Sequence, residues 1–119
     1  MVIRPYGNQN FVDQKRLISA EINGLKIINV YVPNGSSVYS EKYQYKIDWL
    51  NCLASYVNKQ VKQGDLLCLL GDFNIAPSTK DIHDPHKYNE GIMASKVERN
   101  ALENVLKGRF IDAFRIFEK

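Results

Sequence analysis

Asp72 and Asn74 stand two residues apart, just past a continuous apolar run, Leu66-Leu67-Cys68-Leu69-Leu70, that Gly71 closes. An aspartate in such a place can bind Mg²⁺, act as a general base or accept a hydrogen bond within a loop. The carboxamide that follows can donate through nitrogen and accept through oxygen, so it can orient a water or a phosphoryl oxygen. Tyr31 offers a phenolic hydroxyl, a further donor for a phosphate. Asp, Asn and Tyr together lack a good side-chain nucleophile, but they suit metal-assisted attack of water on a phosphoester. The spacing alone is equally consistent with an Asx-type turn closing the strand. For Tyr31 a core or rim aromatic is the readier explanation, and Pro33-Asn34-Gly35 is by composition simply a turn.

The elements that must position these residues follow from periodicity. The run 66–71 is short, leucine-rich and bounded by Gly64 and Gly71, which predicts a strand buried on both faces. Ligands of open α/β sheets gather at the carboxyl ends of such strands, where Asp72 and Asn74 lie. Residues 16–22 alternate, Asn23-Gly24 is a strong hairpin signal, and residues 25–32 form the returning strand. A helix is predicted over 41–63, with Ser40 as N-cap and Gly64 at the C′ position. Its apolar stripe is Tyr43, Ile47, Leu50, Ala54, Val57 and Val61, which leaves Lys42, Lys46, Lys59 and Lys62 for the solvent side. Residues 25–71 thus read as a βαβ unit with parallel strands. Parallel strands end on the same side, so Tyr31, Pro33 and Asn34 share a sheet edge with Asp72 and Asn74.

Residues 76–94 form a polar loop, long for a connection without regular structure, and such loops are often functional. His83 and His86 within it lie near Asp81 and Asp84, and their spacing fits a surface cluster better than a zinc site. Ser95-Lys96-Val97-Glu98 is a capping box that opens a helix to about residue 107, stopped by Gly108. Phe110-Ile111-Asp112-Ala113-Phe114-Arg115 comes close to the end, and there is no internal repeat, low-complexity tract or linker.

Composition narrows the class. The 119 residues suit one domain, and 45% hydrophobic against 24% charged residues describes a globular chain rather than a disordered one. A net charge of +3 is compatible with a nucleic-acid partner but too small to argue for one. Cys52 and Cys68 form no CxxC pair and read as buried, reduced thiols. No apolar run approaches the roughly 20 residues of a membrane helix, and Met1-Val2-Ile3-Arg4-Pro5 lacks a signal-peptide core. A soluble, cytoplasmic protein without a membrane partner is the default expectation.

Five stretches in order resemble the exodeoxyribonuclease III-type apurinic/apyrimidinic endonucleases of the endonuclease/exonuclease/phosphatase superfamily. They are Asn29-Val30-Tyr31-Val32-Pro33-Asn34-Gly35, Lys42-Tyr43-Gln44-Tyr45-Lys46 with Trp49-Leu50, Gly71-Asp72-Phe73-Asn74-Ile75-Ala76-Pro77, Asp81-Ile82-His83-Asp84-Pro85, and Asp112-Ala113-Phe114-Arg115. The Gly-Asp-Phe-Asn stretch marks the superfamily; the tyrosine motif and the Lys-Tyr helix narrow it to this branch. The resemblance implies an α/β fold, part of a four-layered α/β sandwich in which a hairpin precedes the βαβ unit. It implies catalytic roles for Tyr31, Asp72 and Asn74, with Asp72 the general base, Asn74 orienting the phosphoryl group and Tyr31 on the scissile phosphate. Asp72 and Asn74 would also lie in the coordination sphere of Mg²⁺ or Mn²⁺, Asn34 would hold a backbone phosphate, and Asp84 would support the abasic pocket. Duplex DNA with abasic sites or 3′ ends is the implied partner, and the full-length protein is expected to be a monomer.

Departures from the family pattern are equally informative. The upstream asparagine strand and the Leu-Gln-Glu stretch with its principal metal ligand are not found before Arg16, and the Ser-Asp-His motif is not found after Arg115. Residues 1–119 are therefore expected to form a single partial domain, incomplete at both ends, and weakly active or inactive by itself. Two other functions remain open: a superfamily phosphodiesterase acting on small phosphoesters, and a non-catalytic remnant that binds DNA.

Overall fold

The computed structural model describes residues 2–3 (backbone only), 16–35, 40–61, 66–82, 91–92 and 94–117. Among the described residues four strands form one sheet in the order β1-β2-β3-β4: Val2–Ile3, Leu17–Ile22, Leu25–Tyr31 and Leu66–Asp72. Strands β1 and β2 pair antiparallel, as do β2 and β3, whereas β3 and β4 are parallel. The β2–β3 turn places Asn23 at φ 51° and Gly24 at φ 84°, the two left-handed residues that a tight hairpin needs. The hairpin and the βαβ unit are both as the sequence predicts; β1 was not anticipated.

Helix α1, Glu41–Val61, carries the crossover between β3 and β4. Ser40 caps it, accepting from the Tyr43 amide at 3.1 Å. The helix is sandwiched between the sheet and helix α2, Lys96–Leu106, and so buries more than one stripe. Trp49, Leu50, Leu53 and Val57 are fully buried with Ile28, Val30 and Val32 from the sheet side and Ala101 and Val105 from α2. Burial of each aliphatic side chain of this kind is worth about 1.5–3 kcal/mol. The second contact face is why Trp49 and Leu53 are core although the predicted stripe omits them. It also overturns one placement: Lys46 is not on the solvent side but fully buried.

The capping box of α2 is present in full, and Lys107 takes the left-handed C-cap ahead of Gly108. Beyond it lies a short unanticipated helix, α3, Ala113–Phe117, whose first turn is capped by Asp112 Oδ1 at 3.1 Å from the Phe114 amide. Gly64 and Lys62, given roles at the end of α1, fall outside the described residues, as do His83, Asp84 and His86. The loop expected over 76–94 contains a 3₁₀ turn at Thr79–Asp81.

Strand β4 departs from its expected burial on both faces. Among the described residues it is the last strand of the sheet; Leu67 and Leu69 pack toward the core, while Leu66 and Leu70 are exposed at 73% and 40%. Ile18, Ile22 and Leu25 are exposed as well, and the pairing register sets them on that same face, away from α1. Neither cysteine is in a disulfide, and both are half-buried rather than buried. Among the described residues no helix is long and apolar enough to cross a membrane.

Candidate active site

The parallel register brings Tyr31 directly opposite Asp72, and Val32 N donates to Asp72 O at 2.9 Å to extend the ladder past it. Residues paired across adjacent strands project to the same face and lie about 4.8 Å apart. Tyr31 is 53% exposed, so it is a rim residue and not a core aromatic. Arg16 stands over its ring, 4.8 Å from the centroid, and donates to the Tyr31 carbonyl at 3.1 Å.

Past β4 the chain closes an Asx turn: Asp72 Oδ1 accepts from the Asn74 amide at 3.0 Å. Asn74 sits at φ 49°, a left-handed conformation that asparagine tolerates better than most residues. Its side-chain nitrogen donates to Val32 O at 2.9 Å, which stitches the ends of β3 and β4 together. The turn and the polar site are therefore one object, since the turn is what holds Asp72 and Asn74 side by side beside Tyr31. Exposed Asn34 follows on the same edge, three residues past Tyr31.

Gly71 makes this edge feasible. Its φ is +131°, and a Cβ there would run into the Val30 carbonyl and stand 2.8 Å from both Val30 N and Asn29 Oδ1. Gly71→Ala is expected to destabilise the fold by roughly 1–3 kcal/mol through strain and overpacking. Chemical denaturation checks it; an unchanged midpoint would show that the edge relaxes freely.

Beneath the site lies a charged group that sequence reasoning missed. Lys46 Nζ donates to Asn74 O at 2.6 Å and Asn34 O at 3.3 Å and forms an ion pair with Glu98, both side chains being wholly buried. Burial pushes the Lys46 ammonium below the usual lysine range, against the opposing effects of Glu98 and Asp72. Glu98 Oε1 accepts from Ser95 Oγ at 2.9 Å, and that hydroxyl shares a 2.6 Å hydrogen bond with Tyr43 OH. Arg99 Nε donates to Ala76 O at 2.9 Å. The capping box gives Ser95 and Glu98 a sufficient local role, and nothing in that local pattern points to a distant partner for the glutamate. The available signal was the position of Lys46 between Tyr43 and Leu50 on the buried stripe.

An open cleft of about 800 Å³ adjoins this edge, lined by residues 71–77 with Asp81, Ile82, Gly91, Ile92 and Ala94. Asp81 closes one end, accepting from Ser78 Oγ at 3.0 Å and pairing with Arg115 of α3. Burial pushes its carboxyl upward, but Arg115 and the Ser78 bonds outweigh that and hold it below its ordinary value. A depressed folded-state pKa stabilises above the ordinary carboxylate pKa of about 3.9, and the contribution is lost as pH falls through the folded value. The pair is partly exposed, so its worth is about 0–1 kcal/mol. The stability margin of the wild type over Asp81→Asn should accordingly shrink in acid melts below about pH 4; a margin that grows there would contradict the assignment.

Among the described residues no three His, Cys, Asp or Glu side chains gather as a metal cluster. The donor set at the edge is one carboxylate and one carboxamide from a single turn. These are hard oxygen ligands, and they fit a cation such as Mg²⁺ that keeps several waters.

No protein-family profile matches the chain. The exodeoxyribonuclease of Bacillus subtilis is 30% identical over 114 residues, which is 96% of this chain and 44% of that protein. An AP endonuclease structure from Archaeoglobus fulgidus superposes with a TM-score of 0.89 and 36% identity, covering 98% of this chain and 45% of the other. Over nearly its whole length this chain is thus similar to proteins of the exodeoxyribonuclease and AP endonuclease type. A third relative, the Neisseria 3′ phosphatase NExo bound to product DNA hairpin, superposes with a TM-score of 0.76 at 37% identity, over 87% of this chain and 41% of that one. The chain spans less than half the length of these relatives. Its mixed α/β architecture matches part of the sandwich-type fold of these solved neighbours.

Proposed function

We propose that this chain is part of a divalent-metal-dependent DNA-repair nuclease that hydrolyses phosphodiesters of duplex DNA 5′ to abasic sites or at 3′ ends. The observation that carries the reading is the meeting of Tyr31, Asp72 and Asn74 at one sheet edge, beside an open cleft. The solved relative with a DNA hairpin supports a nucleic-acid substrate.

In this reading Asp72 takes a proton from the attacking water, and Asn74 holds the phosphoryl group for in-line attack. Tyr31 donates its hydroxyl to the scissile phosphate, while Asn34 contacts a neighbouring backbone phosphate and Asp84 supports the abasic pocket. Mg²⁺ or Mn²⁺, held by the oxygens of Asp72 and Asn74, would offset charge on the phosphate. Residues 1–119 form one partial domain, and the apolar face of Ile18, Ile22, Leu66 and Leu70 is where the rest of the domain packs. Two metal ligands make a weak site, so the chain alone is a feeble enzyme; in this reading the full-length parent is a monomer.

The test is a duplex with one abasic site, incubated with the purified chain in Mg²⁺ or in chelator. Metal-dependent incision, even at trace rate, supports the reading. Cleavage of a soluble phosphoester but not of the duplex would favour a small-molecule phosphodiesterase. Salt-sensitive binding without cleavage at high Mg²⁺ would mark a DNA-binding remnant.

A further inference from the structure

We infer that Lys46 and Glu98 are positioning residues of the site, a buried clamp that sets the separation of the two loops carrying Asn34 and Asn74. The inference rests on the reading of Tyr31, Asp72 and Asn74 as the reacting groups.

A lysine ammonium has three donors. Here all three are spent: on Asn34 O after β3, on Asn74 O after β4, and on Glu98 of α2. The two carbonyls belong to loops from different strands, so one nitrogen spans the edge on which the polar side chains stand. Glu98 is fixed in turn by Ser95, and Ser95 by Tyr43, which lies one turn ahead of Lys46 on α1. That closes a ring of four buried side chains from two helices. Arg99, next to Glu98, grips the same loop two residues past Asn74. The first turn of α2 therefore braces the Asp72–Ala76 turn from behind at two points.

Stability alone does not account for such a pair. A buried ion pair replaced by well-packed apolar side chains is often no less stable, whereas an apolar side chain has no donor for either carbonyl. What Lys46 adds is geometry. From this position the clamp holds the Asn74 backbone, and through it the Asn74 amide bond to Val32 O and the turn at Asp72.

The experiment compares wild type with the double variant Lys46→Met/Glu98→Leu, which removes both charges together. Steady-state incision of abasic duplex in Mg²⁺ is expected to show kcat lowered by about 10–100-fold, since misplacement by about 1 Å can cost that much. KM should stay within about threefold, because the DNA-facing side chains are retained. The second readout is the Asn74 side-chain amide resonance, whose hydrogen exchange should quicken as its bond to Val32 O loosens. If the wild type shows no metal-dependent incision, the nuclease reading fails and the amide resonance alone decides the clamp. An unchanged Asn74 amide, or a loss confined to KM, overturns the proposal. Should the double variant not fold, Glu98→Ala removes the acceptor that anchors the Lys46 ammonium and must produce the same change at Asn74.

Discussion

Asp72→Asn is expected to lower Mg²⁺-dependent incision of abasic duplex by about 10²–10⁴-fold while leaving the fold intact, the range typical for loss of a positioned general base. An asparagine Oδ1 can still accept the Asn74 amide, as Asp72 Oδ1 does at 3.0 Å, so the Asx turn survives the change. What it loses is the capacity to take a proton and the negative charge that would hold a cation in the proposed function. The substitution thus separates the observed turn from the proposed catalytic role at this residue. Incision assays with parallel thermal melts make the measurement. Full activity in Asp72→Asn would reduce Asp72 to a turn residue; an equal collapse of activity and melting temperature would do the same.

The second large effect concerns Lys46→Met. It removes the cationic partner of the Glu98 carboxylate in a wholly buried position, where Ser95 still donates to it. Breaking one side of such a pair costs about 3–5 kcal/mol. That is a large share of the roughly 5–15 kcal/mol by which a domain is stable. The single tryptophan, Trp49, is fully buried one turn along α1 and reports unfolding by fluorescence in urea. Lys46→Met/Glu98→Leu should recover most of the loss, because no unpaired charge remains. A single-variant cost under about 1 kcal/mol would mean that Glu98 finds water or takes up a proton without penalty.

The two effects differ in kind. Asp72 is exposed and replaceable without harm to packing, so its substitution moves rate. Lys46 lies under the same edge with no solvent contact, so its substitution moves stability first. The exposed apolar face of Ile18, Ile22, Leu66 and Leu70 bears on both, since a partner segment packed there would raise the stability against which each loss is read.

By itself the sequence determined what depends on near neighbours. Asn23-Gly24 dictates the hairpin because its two residues accept left-handed φ; Ser95 and Glu98 dictate the start of α2 because each satisfies the other's backbone amide. The strand–helix–strand order of residues 25–71 obliges the strands to run parallel, and that brought Tyr31, Asn34, Asp72 and Asn74 to one edge. Tertiary structure decided what depends on distant partners. The apolar run of β4 looks the same in sequence whether its faces are covered or open, and only the sheet order makes it the last strand among the described residues. Lys46 and Glu98 are 52 residues apart, and each had a sufficient local explanation, one as a solvent-facing lysine and one as a capping glutamate. Their pairing exists because α2 packs across α1 and excludes water from both charges, which no local pattern encodes.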